Sequence, residues 1–323
     1  MNNDEAKSII KLVDKYIRKY GIPKYVENMK NPIVLAASWR EYCFKKYGNK
    51  LCTYNDLYNY LNKLVRSYHH HSFVYIKSLE DKSNKNLNEV KIERPINRSS
   101  QPLPKFKWDS EYKIGTIIYY HFYLSNNQRQ NEKDASQIVN MVKKEINKWK
   151  NNNLSALIID LRKHYGGDMR PAINSLSEIL GKTTLFGWNN KMVRYKDKKW
   201  VNYNNGSFGS ITFNQKFLTN KLAFKKPIAV LVSNKTCSSG EIIASIFSGR
   251  SNAKIFGEET CGKLSGNTII MINNDIDLIL TISLITTVDE EFIDDEFVII
   301  DKFTNRPIFD AKQWIKNCKE LEV

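Results

Sequence analysis

At 323 residues, 41% of them hydrophobic and 12% aromatic, the chain is long enough to bury a large core, and its composition excludes a disordered or fibrous protein. Fifty basic against 34 acidic residues leave a net charge of +16, which attracts nucleic acid, anionic surfaces and acidic partners but sets no fold. The lysines are scattered, with no basic block interleaved with aromatics, so a solvated basic surface is expected and a specific nucleic-acid site is not.

Residues 4–20 carry Ile9, Val13, Tyr16, Ile17 and Tyr20 on one face of an amphipathic helix, which Gly21 and Pro23 stop. A second helix is expected over 33–47. A third opens at Thr53, with Asp56 as capping partner, and runs through Leu57, Leu61, Leu64, Val65 and Tyr68. Residues 1–68 thus form a helical N-terminal subdomain ahead of a core over 69–323. The His69-His70-His71-Ser72-Phe73 run marks a helix-to-strand junction, and 80–110, with Pro95, Pro102 and Pro104, is expected as loop. A strand over 114–122, a helix over 134–150 and an unbroken apolar strand over 154–160 follow, the last with both faces buried. A Gly166-Gly167 turn leads into a helix ending at Leu180. A cap hairpin begins at 184, turns near 196–198 and extends to about 226. Further strands are expected at 227–232, 268–273, 278–288 and 297–300, before a last helix through Trp314, Ile315 and Cys318. Strands alternating with helices predict an α/β fold with a partly parallel sheet.

The five cysteines, Cys43, Cys52, Cys237, Cys261 and Cys318, show no CxxC, so no metal site is expected and a reducing compartment fits better than a disulfide framework. No stretch reaches about 18 consecutive apolar residues, and the N-terminal apolar segment is interrupted by charges. The expectation is a cytoplasmic or intracellular chain without a membrane span. No cofactor is expected.

The chemistry-bearing stretch is 227–268. An apolar β-branched run ends in Thr236-Cys237-Ser238-Ser239-Gly240, which opens a helix, and Gly257-Glu258-Glu259-Thr260-Cys261-Gly262-Lys263 follows. A hydroxyl on a sharp strand-to-helix turn suits a nucleophile. Ser238-Ser239-Gly240-Glu241 is also a plain capping box, and the tetrapeptide alone does not choose between the two.

These residues resemble the active-site segment of the S41 serine peptidases, the family of tail-specific (C-terminal processing) proteases. Gly249-Arg250-Ser251-Asn252 and Tyr165-Gly166-Gly167-Asp168-Met169 resemble the branch that contains the nisin-resistance protein. The resemblance implies a crotonase/ClpP-like α/β core, here with the helical N-terminal subdomain and a small cap. Tail-specific proteases usually carry a PDZ domain before the core, but the interval from Ser72 to Lys113 is too short for one, so none is expected. It implies Ser238 as nucleophile and an oxyanion hole from the backbone N–H groups of Gly166 or Gly167 and of Ser239. Two bases stay open. His71, in His71-Ser72-Phe73, matches the nisin-resistance branch, and Lys263 matches the tail-specific proteases; imidazole titrates near neutrality and needs less tuning, which favours His71. Asp289 and Asp301 are candidates for a third member, and His121 and His164 could orient a base. Cys237 occupies a small-residue slot and is expected to pack.

The expected activity is therefore peptide-bond hydrolysis through an acyl-enzyme on Ser238, on a peptide or protein substrate held as an extended strand. Lys163 and His164 stand where the family has Gly and Asn. That departure keeps a peptide-binding module with impaired catalysis as the alternative.

Overall fold

The computed structural model describes residues 3–21, 54–80, 101–125, 127–190, 199–204, 207–213, 221–289 and 297–320. The helix expected over 33–47, the turn near 196–198 and two cysteines, Cys43 and Cys52, lie outside the described residues. The chain divides into two compact units: residues 1–92, 190–196 and 265–283 in the first, and 93–189, 197–264 and 284–323 in the second.

In the first unit, α1 (Asn3–Tyr20) and α2 (Tyr54–Tyr68) bury their apolar stripes, Ile9, Val13 and Ile17 with Leu57, Leu61, Leu64 and Val65. The stripes share a core with Val74 and Ile76 of β1 (Phe73–Ile76) and Ile276, Leu278 and Leu280 of β11 (Ile276–Thr286). α3 (Lys77–Glu80) follows β1 directly. β1 runs antiparallel to β11, Phe73 opposite Ile279, and β10 (Ser265–Met271) also pairs with β11. Asn62 closes the other edge of β1: its side chain donates to the Val74 carbonyl at 3.0 Å and accepts from the Val74 N–H at 2.9 Å. One amide side chain thereby does the work of a neighbouring strand.

The second unit is built on a six-stranded sheet of order β12-β9-β8-β4-β3-β2. Its strands are β2 (Lys105–Asp109), β3 (Ile114–Phe122), β4 (Ala156–Gly167), β8 (Ile228–Val232), β9 (Ala253–Gly257) and β12 (Lys302–Phe303). β3, β4, β8, β9 and β12 are parallel to their neighbours, and β2 closes the edge antiparallel to β3. The period of two sends Leu157, Ile159, Val230 and Val232 into the larger core with Val142, Ile146 and Trp149 of α4 (Gln128–Asn151). Ala156, Ile158, Ala229 and Leu231 meet Ala311 and Ile315 of α8 (Pro307–Glu320) on the opposite face. Both faces are covered there, and the central runs Ala156–Ile159 and Ile228–Val232 are unbroken apolar for that reason.

Several boundaries differ from the sequence expectation. α4 begins six residues early because Asn127 caps it, accepting from the Gln130 N–H at 3.1 Å. Part of the expected 80–110 loop is β2, whose Phe106 and Trp108 rest on Trp149. The helix ending at Leu180 is two short pieces, α5 (Arg170–Ser175) and α6 (Ser177–Leu180). The hairpin is present as β5 (Lys182–Asn190) and β6 (Lys199–Asn204), extended by β7 (Ser207–Phe213). No strand forms over 297–300, where the Val298 N–H donates to the Thr260 hydroxyl instead of to a ladder.

Candidate active site

β8 ends in a turn bolted to the neighbouring strand. The Thr236 hydroxyl donates to the Leu161 carbonyl at 3.0 Å and accepts from the Ser233 N–H at 2.9 Å. The Ser233 hydroxyl donates to the Arg162 carbonyl, and the Cys237 N–H to the His164 carbonyl, both at 3.0 Å. α7 (Ser239–Ser245) starts immediately beyond and is buried along its whole length. Between turn and helix, half-buried Ser238 has φ 52° and ψ −114°. A non-glycine residue held there costs on the order of 1–3 kcal/mol, and such strain concentrates where a reactive side chain must be presented.

β4 supplies the opposite wall. It continues past the apolar run through Gly167, so the Gly-Gly pair is the strand's end, with Phe122 of β3 opposite Gly167. Gly166 has φ 111°, and a Cβ there would lie 3.3 Å from the Ser238 Cβ and 3.9 Å from its Oγ. Only glycine allows that backbone to come so close to the serine. The Gly166 N–H makes a long 3.4 Å contact to Nδ1 of His164. The Ser239 N–H, at the first helical position, has no intrahelical acceptor by construction.

Glu241 ties the site together. Its carboxylate, fully buried, accepts from the Ser238 N–H at 2.7 Å, the Thr260 hydroxyl at 2.6 Å, the Gly262 N–H at 2.9 Å and the Lys263 N–H at 2.8 Å. Burial pushes Glu241 up to about 7, while these donors, Thr260 foremost, pull it down. The sequence showed Glu241 only as half of a capping box. The Thr260-x-Gly262 spacing further on was the signal for its other partners. Glu241→Ala leaves four donors without their acceptor, and we expect it to lower unfolding free energy by about 3–5 kcal/mol, read from urea denaturation midpoints.

The same fold-back corrects the expectation for the cysteines. Cys237 and Cys261 form a disulfide, with Cα atoms 5.2 Å apart. Cys237 is therefore not merely a packing residue, and the cysteines no longer argue for a reducing compartment. The loop that wraps Glu241 brings Cys261 to Cys237, an approach that residue spacing cannot reveal. Cys237, Glu241 and Cys261 also lie close enough together to resemble a metal-binding group, but with the two sulfurs bonded to each other they offer no thiolates. No helix among the described residues is long and apolar enough to cross a membrane.

His164 is buried beneath the site, its carbonyl oxygen 2.7 Å and its Nδ1 2.9 Å from where a Gly240 Cβ would stand. Burial, followed by the neighbouring His121, holds it down at about 3. A folded value below the unfolded one means that the unfolded chain binds the extra proton. Its contribution to stability is thus complete above about pH 6.5 and lost as pH falls towards 3. We expect His164→Asn to lose less stability than the parent between pH 7 and 4.5, by on the order of 2 kcal/mol, in denaturation midpoints measured at both pH values.

Of the residues singled out from sequence, Ser238, Ser239, Gly166, Gly167 and the backbone of Lys263 gather in the second unit, and Lys263 itself is half-buried. His71 lies in the first unit, in the turn between α2 and β1, 8% exposed, with its Nδ1 3.3 Å from the Ser265 hydroxyl. The aspartates considered as third members have other partners. Asp289 accepts from the Thr287 hydroxyl, and Asp301 accepts from the Ile255 N–H at 2.7 Å.

A family model for peptidase family S41 matches residues 113–301. The chain is 32% identical over 187 residues to the nisin-resistance protein of Lactococcus lactis subsp. lactis, a match covering 58% of this chain and 57% of that protein. It is 27% identical over 142 residues to the chloroplastic carboxyl-terminal-processing peptidase 2 of Arabidopsis thaliana, covering 44% and 24%. The chain thus spans about half or less of the length of these relatives. Among solved structures, a lipoprotein from Streptococcus agalactiae shares the fold over 97% of this chain and 96% of that one, with a TM-score of 0.69 at 20% identity.

Proposed function

The chain belongs to peptidase family S41, and we propose that it is a serine endopeptidase of the C-terminal processing type, acting through an acyl-enzyme on Ser238 with His71 as general base. The observation that carries the reading is the positive-φ backbone of Ser238, half-buried on a strand-to-helix turn and faced by a glycine. Nothing in a capping role requires such a backbone, since an N-cap residue ordinarily sits in the β region.

In this reading the Ser238 Oγ attacks the scissile carbonyl while His71 takes its proton, then returns it to the leaving amine. The N–H groups of Ser239 and of Gly166 or Gly167 donate to the tetrahedral oxyanion. The Gly166 N–H is available for this because its contact with His164 is long and to a neutral ring. Water, deprotonated by the same histidine, then hydrolyses the ester at Ser238. The substrate is an extended peptide or the C-terminal segment of a protein, paired by its backbone to a strand edge. The +16 charge favours acidic chains on approach.

The test is pre-steady-state. An activated ester such as a p-nitrophenyl peptide ester should give a burst of about one product per Ser238, followed by slow turnover. A stoichiometric peptide complex with no burst and no turnover would instead identify a binding module with the peptidase fold.

A further inference from the structure

In the first unit a hydroxyl is in contact with the His71 ring. Nδ1 of His71 lies 3.3 Å from Oγ of Ser265, both residues being buried, 8% and 5% exposed. Ser265 opens β10, and β10 and β1 both pair with β11. A single residue of β11 fixes the spacing between them. The Thr281 N–H donates to the Ser72 hydroxyl at 2.9 Å, beside His71, and the Thr281 hydroxyl donates to the Asn267 side chain at 2.7 Å, two residues beyond Ser265.

The histidine turn is also fixed from its own side. The Ser72 N–H donates to the His69 carbonyl at 2.9 Å, and the His71 N–H contacts Nδ1 of His69 at 3.3 Å. The rings of His69 and His70 stand against that of His71, with centroids 5.5 and 3.7 Å away. With the backbone and ring orientation held this way, Nδ1 stays within hydrogen-bond reach of the Ser265 hydroxyl, which can pair with either tautomer of the neutral imidazole.

We propose that Ser265 is the positioning residue of His71. Its Oγ accepts the Nδ1–H, and so holds the tautomer whose Nε2 bears the lone pair that a general base needs. This rests on His71 being the base. It differs from the familiar acidic third member in using a neutral hydroxyl, which orients the ring without a full charge to stabilise the imidazolium.

The experiment combines ¹⁵N-histidine NMR of the resting protein with peptidase kinetics. The parent should show His71 as the Nδ1–H tautomer. Ser265→Ala should move it to mainly Nε2–H and lower kcat about tenfold with KM changed less than twofold. Ser265→Thr, which restores the hydroxyl, should recover both, and Ser265→Cys, a weaker acceptor of similar size, should fall between. An unchanged tautomer in Ser265→Ala, or a loss of kcat with His71 still in the Nδ1–H form, overturns the proposal. The tautomer is read without turnover. If His71→Ala retained full hydrolysis, the base assignment would fail while the Ser265 contact would still be decided by the NMR arm.

Discussion

Ser238→Ala is expected to lower kcat/KM for an unstructured peptide by about 10⁴-fold or more, leaving peptide affinity nearly unchanged. The size follows from the role: without Oγ no acyl-enzyme forms, and only the oxyanion donors and binding remain. The fold should tolerate the change. Alanine keeps the half of the capping box in which the Ser238 N–H donates to Glu241, and loses only the half in which the Ser238 side chain accepts from the Glu241 N–H, a cost of about 1 kcal/mol. Ser238→Gly gives a sharper form of the prediction. It should be equally inactive but at least as stable, because glycine adopts φ 52° without the strain that serine bears. A capping serine would behave in the opposite way, with stability lost and activity retained. Activity and denaturation midpoints on the two variants separate these roles.

His71→Ala should cost about 10³-fold or more in kcat, whereas Lys263→Ala should stay within about threefold of the parent. An imidazole near its ordinary range is half-deprotonated close to neutrality; an ammonium must be desolvated by several kcal/mol to serve as a base. The lysine substitution is a clean comparison, since Lys263 contributes its backbone N–H to Glu241 and alanine keeps that bond at 2.8 Å geometry. Only the amine is lost. Steady-state kinetics at neutral pH on both variants give the answer, and a reversed pattern would assign the base to Lys263.

Much of the sheet was legible because burial on both faces writes itself into composition. Leu157 to Ile159 and Ile228 to Val232 are apolar without interruption, as a parallel strand covered on both faces requires. The tail of β4 was not legible. Arg162 to Gly167 pairs with β3 through backbone groups while its side chains are mixed, so hydropathy ends the strand too early. β2 was hidden by nearby prolines, although Phe106 and Trp108 alternate as a half-buried strand should. At the candidate site, Ser238 and the glycine pair were visible as local motifs, because a sharp strand-to-helix turn and a close backbone approach both demand particular residues in sequence. The disulfide, the four donors around Glu241 and the Ser265 contact were not. Each joins segments whose approach is set by the loop after β9 or by β11, and no periodicity encodes that.

The most direct test of the central claim is covalent. The parent, His71→Ala and Lys263→Ala proteins are treated with a fluorophosphonate, and the adduct is located by peptide mass spectrometry. A serine hydroxyl reacts with such a probe only when a base activates it within an oxyanion site. The account predicts a single adduct on Ser238 in the parent and in Lys263→Ala, and its loss in His71→Ala. An unlabelled Ser238 in the parent, or labelling that survives in His71→Ala and disappears in Lys263→Ala, would contradict it.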